Sequence, residues 1–411
     1  MLETEQLSQL TSDLTQADAG QRRAAAEALA GADARAIYPL IKTLRDENPG
    51  VQEAAMRSLI SIGGEVTAFM VLPLLREGPL LRNTTMVILR EIGPAAIPLL
   101  RLLFTDKDDD IRKFAVDLIG DIKTCDYPDE IVKLLQIDPN VNVRASAAKS
   151  LAILNYRASI PALIAALRDE EWVCFSALDA LSHFGDDSSL GPVKTILTSP
   201  SSALRYAAIE ALGKFDCPQA RSILHDYLQK ADDMEKIAVV KSLVQTGLST
   251  SMLGVSDVLT DILKKGDWDD RLIAIRGLVD VGEKRAIPVI IDTIGMLDPS
   301  DPNNDEWLVT AKQALLEFLS PDEFIEALHN PSIKFRGKVI AIDVLKELGC
   351  SEAVPQIVTL LSDVSTHVVL AAVDAVVQLA RKEAPTILAS LKQHHEERIR
   401  EHVNRLLEDC R

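Results

Sequence analysis

The chain has 411 residues, 47% of them hydrophobic, and a formal net charge of −17 from 44 Lys and Arg against 61 Asp and Glu. This length exceeds what one globular core supports, which leaves several domains or one elongated array. The 4% aromatic content suits tightly packed helices better than β-sandwiches. The acidic balance, without any basic run, argues against nucleic acid, whose binders need cationic surface to displace counterions, and against anionic membrane surfaces.

The first residues, Met1 to Gln6, are acidic and polar and lack the basic and apolar regions of a signal peptide. No run of about 18 apolar residues occurs, so no membrane span is expected and a cytoplasmic location is. Cys125, Cys174, Cys217, Cys350 and Cys410 form no CxxC and no zinc spacing, which suits reduced, buried or idle thiols.

Laid against itself, the chain repeats. A cation, then small residues, then an aliphatic residue seven positions on, occurs at Arg22 with Leu29, Arg82 with Leu89, Arg112 with Ile119 and Arg144 with Leu151. It continues at Arg205 with Leu212, Lys236 with Leu243, Arg271 with Leu278 and Arg400 with Leu407, mostly 30 to 35 residues apart. Degenerate copies begin at Gln52, Cys174, Lys338 and Val369. Ahead of several copies stands a small residue, Ile or Val, and Pro, as in Ala96-Ile97-Pro98 and Ala353-Val354-Pro355. Pro is tolerated in a first helical turn, so it marks the start of a helix A; the cation marks the start of a helix B. Leu99, Leu102 and Leu103 fall on one expected helix-A stripe. An Asp before helix B and an Arg in its first turn predict an ion-pair or backbone ladder between repeats rather than a phosphate-binding row.

The combined pattern, Ala-Ile/Val-Pro-x-Leu followed by Asp and then Val-Arg-x-x-Ala-x-x-Ala-Leu, resembles the HEAT repeat, and within it the bacterial HEAT-like subclass first named after phycobilisome (bilin) lyases. Residues 96–126, 160–189 and 353–383 match best. The resemblance implies an all-α fold, a right-handed α-α superhelix of about thirteen antiparallel helix pairs, running as a single continuous solenoid over 1–411. Irregular spacing is expected near 247–256, and a solvated acidic insertion near 297–306, where two Pro and two Asn exclude helix.

In such solenoids the B helices line the concave face. Positions one and five after the cation share one stripe. Position one is polar early, at Arg23, Glu53 and Asn83, and becomes Phe175, Tyr206, Ile237 and Leu272. Position five places Asp179, Glu210, Lys241 and Arg276 alongside, with His183 at the edge. An apolar centre with a charged rim is the composition of a protein interface; the competing reading packs these side chains between B helices. The expected function is a non-catalytic protein-binding scaffold or adaptor without cofactor or metal. Its alternative, implied by the resemblance alone, is a chromophore-handling enzyme of the bilin lyase or isomerase kind using Cys174, Asp179, His183 and Tyr206. No Walker loop, Rossmann fingerprint or nucleophile elbow occurs.

Overall fold

Each helix B begins one turn ahead of its repeat cation, and several begin at a residue whose side chain caps the first turn. In the computed structural model, which describes residues 3–246, 254–297 and 304–409, the cation is the fourth residue of its helix. Examples are Arg22 in Ala19–Ala28, Arg112 in Asp109–Ile122, Arg144 in Val141–Ile153 and Arg271 in Trp268–Asp280. The side chains of Asp18, Asp108, Asn140 and Asp267 accept N–H bonds from the first turn, satisfying donors that the helix itself leaves orphaned. Helices A open with Pro in the first turn, as in Ile97–Leu102, Ile160–Ala166, Ile287–Ile294 and Val354–Thr359.

The chain divides into two compact units, Met1–Phe215 and Asp216–Arg411. Among the described residues the first unit stacks seven helix pairs, from Thr4–Asp13 with Ala19–Ala28 to Leu190–Ile196 with Ser202–Gly213. The second stacks six, from Pro218–Leu228 with Asp233–Thr246 to Ala384–Ile387 with Glu397–Asp409. The fold is an all-α HEAT-type solenoid. One helix pair cannot bury its own apolar faces, so each pair is completed by its neighbours.

Small residues set how closely neighbouring B helices approach. Ala147, Ala148 and Leu151 are fully buried. A Cβ added to Gly120 would lie 2.7 Å from Ser150 Oγ, so this crossing admits no side chain. Ser150 Oγ donates to the Val116 carbonyl at 2.9 Å, and Ser58 Oγ to the Ala26 carbonyl at 2.6 Å; each hydroxyl ties one B helix to the preceding one.

The cations form the inter-repeat ladder. Arg22 binds Asp46 of the next repeat at 2.7 and 2.9 Å and its own loop carbonyls, Gln16 and Ala17, at 3.0 and 2.9 Å. Arg112 repeats this with Asp138 at 2.7 and 2.9 Å and the Asp106 carbonyl at 2.9 Å. Arg144 does so with Asp169 at 2.8 and 2.7 Å and the Asp138 carbonyl at 2.9 Å. In the second unit Lys338 reaches Asp363 at 2.8 Å. Arg22, Arg112 and Arg144 thus direct their guanidiniums into the joints between repeats.

Two expectations shift. Leu102 is 69% exposed, because helix Ile97–Leu102 tightens into the 3-10 turn Leu103–Thr105 and leaves the helical stripe. Asp305 and Glu306, read from sequence as loop, open helix Asp305–Glu317. The rest of the acidic insertion, 298–303, and of the irregular stretch, 247–253, lies outside the described residues; Val255 and Ser256 are already helical in Val255–Lys265. Among the described residues no helix is long and apolar enough to cross a membrane.

Candidate protein-interaction face

Positions one and five take their places from the helix register. In the first unit the early position-one residues Arg23, Glu53 and Asn83 are exposed, whereas Phe175 and Tyr206 are half-buried. Asp179, His183 and Glu210 are exposed beside them. In the second unit Ile237, Leu272 and Lys241 are half-buried and Arg276 is exposed. The apolar members thus share their area between neighbouring helices and solvent, a division that neither sequence reading anticipated.

The surroundings of each are specific. The Phe175 ring meets Trp172 edge-on, with centroids 6.3 Å apart and planes at 68°, an arrangement favoured by the ring quadrupoles. Trp172 is 62% exposed and enlarges the aromatic area; it sits one helical turn before Phe175, a spacing that could have found it. Asp179 accepts from Lys214 Nζ at 2.9 Å. The His183 ring lies against Phe184 at 5.8 Å. Lys241 is paired with Asp270.

In the second unit the apolar position one runs on through Val309, Val339 and Leu370. Val309 is 65% exposed; Val339 and Leu370 are half-buried. The cation that reveals the register is absent from two of these repeats, where Leu308 and Val369 stand in its place; Ala311 and Leu315, three and seven positions after Leu308, carried the remaining signal. Trp268 and Trp307 also stack across successive B helices, 6.1 Å apart at 26°. The Arg271 guanidinium lies 4.7 Å from the Trp268 ring centre, while its Nε has no hydrogen-bond partner among the described residues. This cation–π contact lies within helix Trp268–Asp280.

Leu272 and Arg276 line a cavity of 1030 Å³ that also contains Asp280 and Glu317. Burial pushes the Asp280 carboxyl above its ordinary range; Arg276 opposes the shift and the like charge of Glu317 adds to it.

The residues invoked for chromophore chemistry do not share one environment. Cys174 is fully buried, and burial, reinforced by Glu171 and Asp169, pushes its thiol up to about 11. It stays protonated at neutral pH and is not the thiolate that nucleophilic chemistry needs. Asp179 and His183 face solvent. Among the described residues no group of three or more His, Cys, Asp or Glu is placed to hold a metal ion.

The sequence matches the profile of the HEAT repeats over residues 7–89, 96–182 and 171–244, more than half of the chain, and the chain belongs to the HEAT-repeat family. No curated protein matches it. Among solved structures, a chain of the Kap95p–RanGDP nuclear import complex is 12% identical with a TM-score of 0.56, covering 99% of this chain and 67% of its own. At that identity the likeness shows the fold alone. Escherichia coli YibA is 20% identical with a TM-score of 0.48, covering 66% of this chain and 98% of its own. The CpcE–CpcF phycocyanin lyase of Nostoc sp. PCC7120 is 19% identical with a TM-score of 0.36, covering 61% and 94%.

Proposed function

We propose that this protein is a non-catalytic scaffold that binds a protein partner along its B-helix face, in the cytoplasm. The observation that carries the reading is the repeat-wise switch at position one, from the exposed charges Arg23 and Glu53 to the half-buried Phe175, Tyr206, Ile237 and Leu272, with charged position-five residues beside them. Aromatic and aliphatic side chains left partly in water are stabilised by a partner that covers them, and rim charges set encounter and register. The matched chain of similar fold comes from a complex in which Kap95p binds RanGDP, which agrees with this use of the fold. The scattered cysteines, free among the described residues, agree with a reducing compartment.

The test is site-specific photo-crosslinking. A photoreactive residue at Phe175 or Ile237 is expected to trap one discrete protein in the native lysate. The same residue at Phe69, 64% exposed on helix Gly64–Val71, is expected to trap none. Tyr206→Ala should abolish the product at Phe175, and Leu272→Ala the product at Ile237, while the helical circular dichroism is retained. A Tyr206→Ala variant that unfolds would make that ring a packing residue and sink the reading.

A further inference from the structure

The B-helix face of the second unit is opened by two cavities, one on each flank of helix Asp305–Glu317. The larger, 1030 Å³, lies toward Trp268–Asp280, with Leu272, Ile275 and Ala314 on its walls and Arg276, Asp280 and Glu317 as its charges. The smaller, 480 Å³, lies toward Phe335–Glu347 and is walled by Leu308, Val309, Phe335, Val339 and Ile340, with Lys312, Arg336, Asp343 and His367 also lining it.

We propose that the two cavities together seat one extended segment of the partner, a lysine or arginine side chain entering the larger and a large apolar side chain the smaller. The proposal rests on the B-face reading and specifies the chemistry of what that face receives.

The charges are the first argument. Neighbouring charges on this face are satisfied internally: Lys241 by Asp270, Lys312 by Glu347 at 2.5 Å and Asp343 at 3.7 Å, Lys338 by Asp363 at 2.8 Å. Arg276, Asp280 and Glu317 line one cavity, yet none of them makes an ion pair within 4.0 Å among the described residues. Two carboxylates against one guanidinium leave a net negative charge, and Asp280 is half-buried, so water screens it incompletely. A cation arriving on an aliphatic stem meets both needs: its methylenes lie on Leu272 and Ile275 and its head meets the carboxylates. The formal charge of −17 favours encounter with a basic segment.

The second argument is the smaller cavity. Val309 is 65% and Phe335 42% exposed, so its apolar walls are held partly in water. Its volume admits a leucine, phenylalanine or tryptophan side chain, the kind of anchor that dominates interfaces. The cavities flank a single helix, and packed helices lie about 8–10 Å apart. An extended chain advances roughly 3.3 Å per residue. The basic and apolar residues should therefore stand about three positions apart.

The experiment uses the full chain and an immobilised array of acetylated Gly/Ser decapeptides. Each carries one Lys and one Phe, separated by none to about six residues. Retention is expected to peak with about one to three residues between them, and to fall about tenfold when norleucine or acetyl-lysine replaces Lys. Glu317→Lys should turn the preference from Lys to Glu, an outcome that misfolding does not produce. Val309→Asp should remove the dependence on Phe and keep that on Lys. Retention indifferent to Lys, a preference unmoved by Glu317→Lys, or no retention of any peptide overturns the proposal. None of these touches the B-face reading, which stands or falls on the crosslinks at Phe175 and Ile237.

Discussion

Arg112 and Asp138 are partners across a repeat boundary, joined by two hydrogen bonds of 2.7 and 2.9 Å with 10% and 3% of their side-chain surface exposed. Asp138 also accepts from the Asn140 N–H at 2.9 Å, shaping the turn into the next helix B. Removing one partner leaves an uncompensated buried charge. Asp138→Ala should lower the unfolding free energy by about 3–5 kcal/mol, read from chemical denaturation. A cost below about 1 kcal/mol, the range of a surface pair, would show that the ladder is decorative.

The same pair sets an acid limit. Burial alone would raise the Asp138 carboxyl, but the Arg112 hydrogen bonds and the Asn140 N–H hold it below its ordinary value; Asp169 is held down by Arg144. A depressed native value means that the unfolded chain binds more protons just below the ordinary aspartate range. The stabilisation is therefore complete above about pH 4 and is lost as pH falls through the native values. Melting temperatures should drop steeply there, and Asp138→Asn should flatten the drop.

Asp280 carries the opposite sign. Its native carboxyl is raised, chiefly by burial, so its ionisation opposes folding once the pH passes the ordinary aspartate range. Asp280→Asn should raise the melting temperature at neutral pH and have no effect near pH 3, where the native and unfolded carboxyls are both protonated. A loss of stability at neutral pH would contradict this assignment.

Leu212 is fully buried in helix Ser202–Gly213, whereas Lys149 on helix Val141–Ile153 is exposed. Leu212→Ala should cost about 2–5 kcal/mol and raise hydrogen exchange in the adjoining repeats as well as its own. Lys149→Ala should stay within about 0.5 kcal/mol. Equal effects would refute the assigned helix faces.

Cys174 should resist iodoacetamide in the native protein at pH 8 and react fully in denaturant, because its thiol is buried and raised to about 11. Mass spectrometry of the labelled peptide reads the outcome; rapid native labelling would restore the thiol as a chemical group.

What the sequence determined by itself is the repeat. The cation with its aliphatic partner seven residues on, and the Pro one helix earlier, are local rules of helix entry and periodicity, so helix order, the all-α class and the Arg–Asp joints were legible at Arg22, Arg112 and Arg144. The polar-to-apolar change at Phe175 and Tyr206 was legible for the same reason. Tertiary structure decided the rest. Whether Leu102 turns outward depends on a helix tightening in its last turn; that Val309 and Val339 extend the strip depends on a register whose marking cation is missing at Leu308. The cavity joining Leu272, Arg276, Asp280 and Glu317 is formed by side chains from separate B helices. No window of the sequence contains it, because the distance between stacked helices is set by what packs between them.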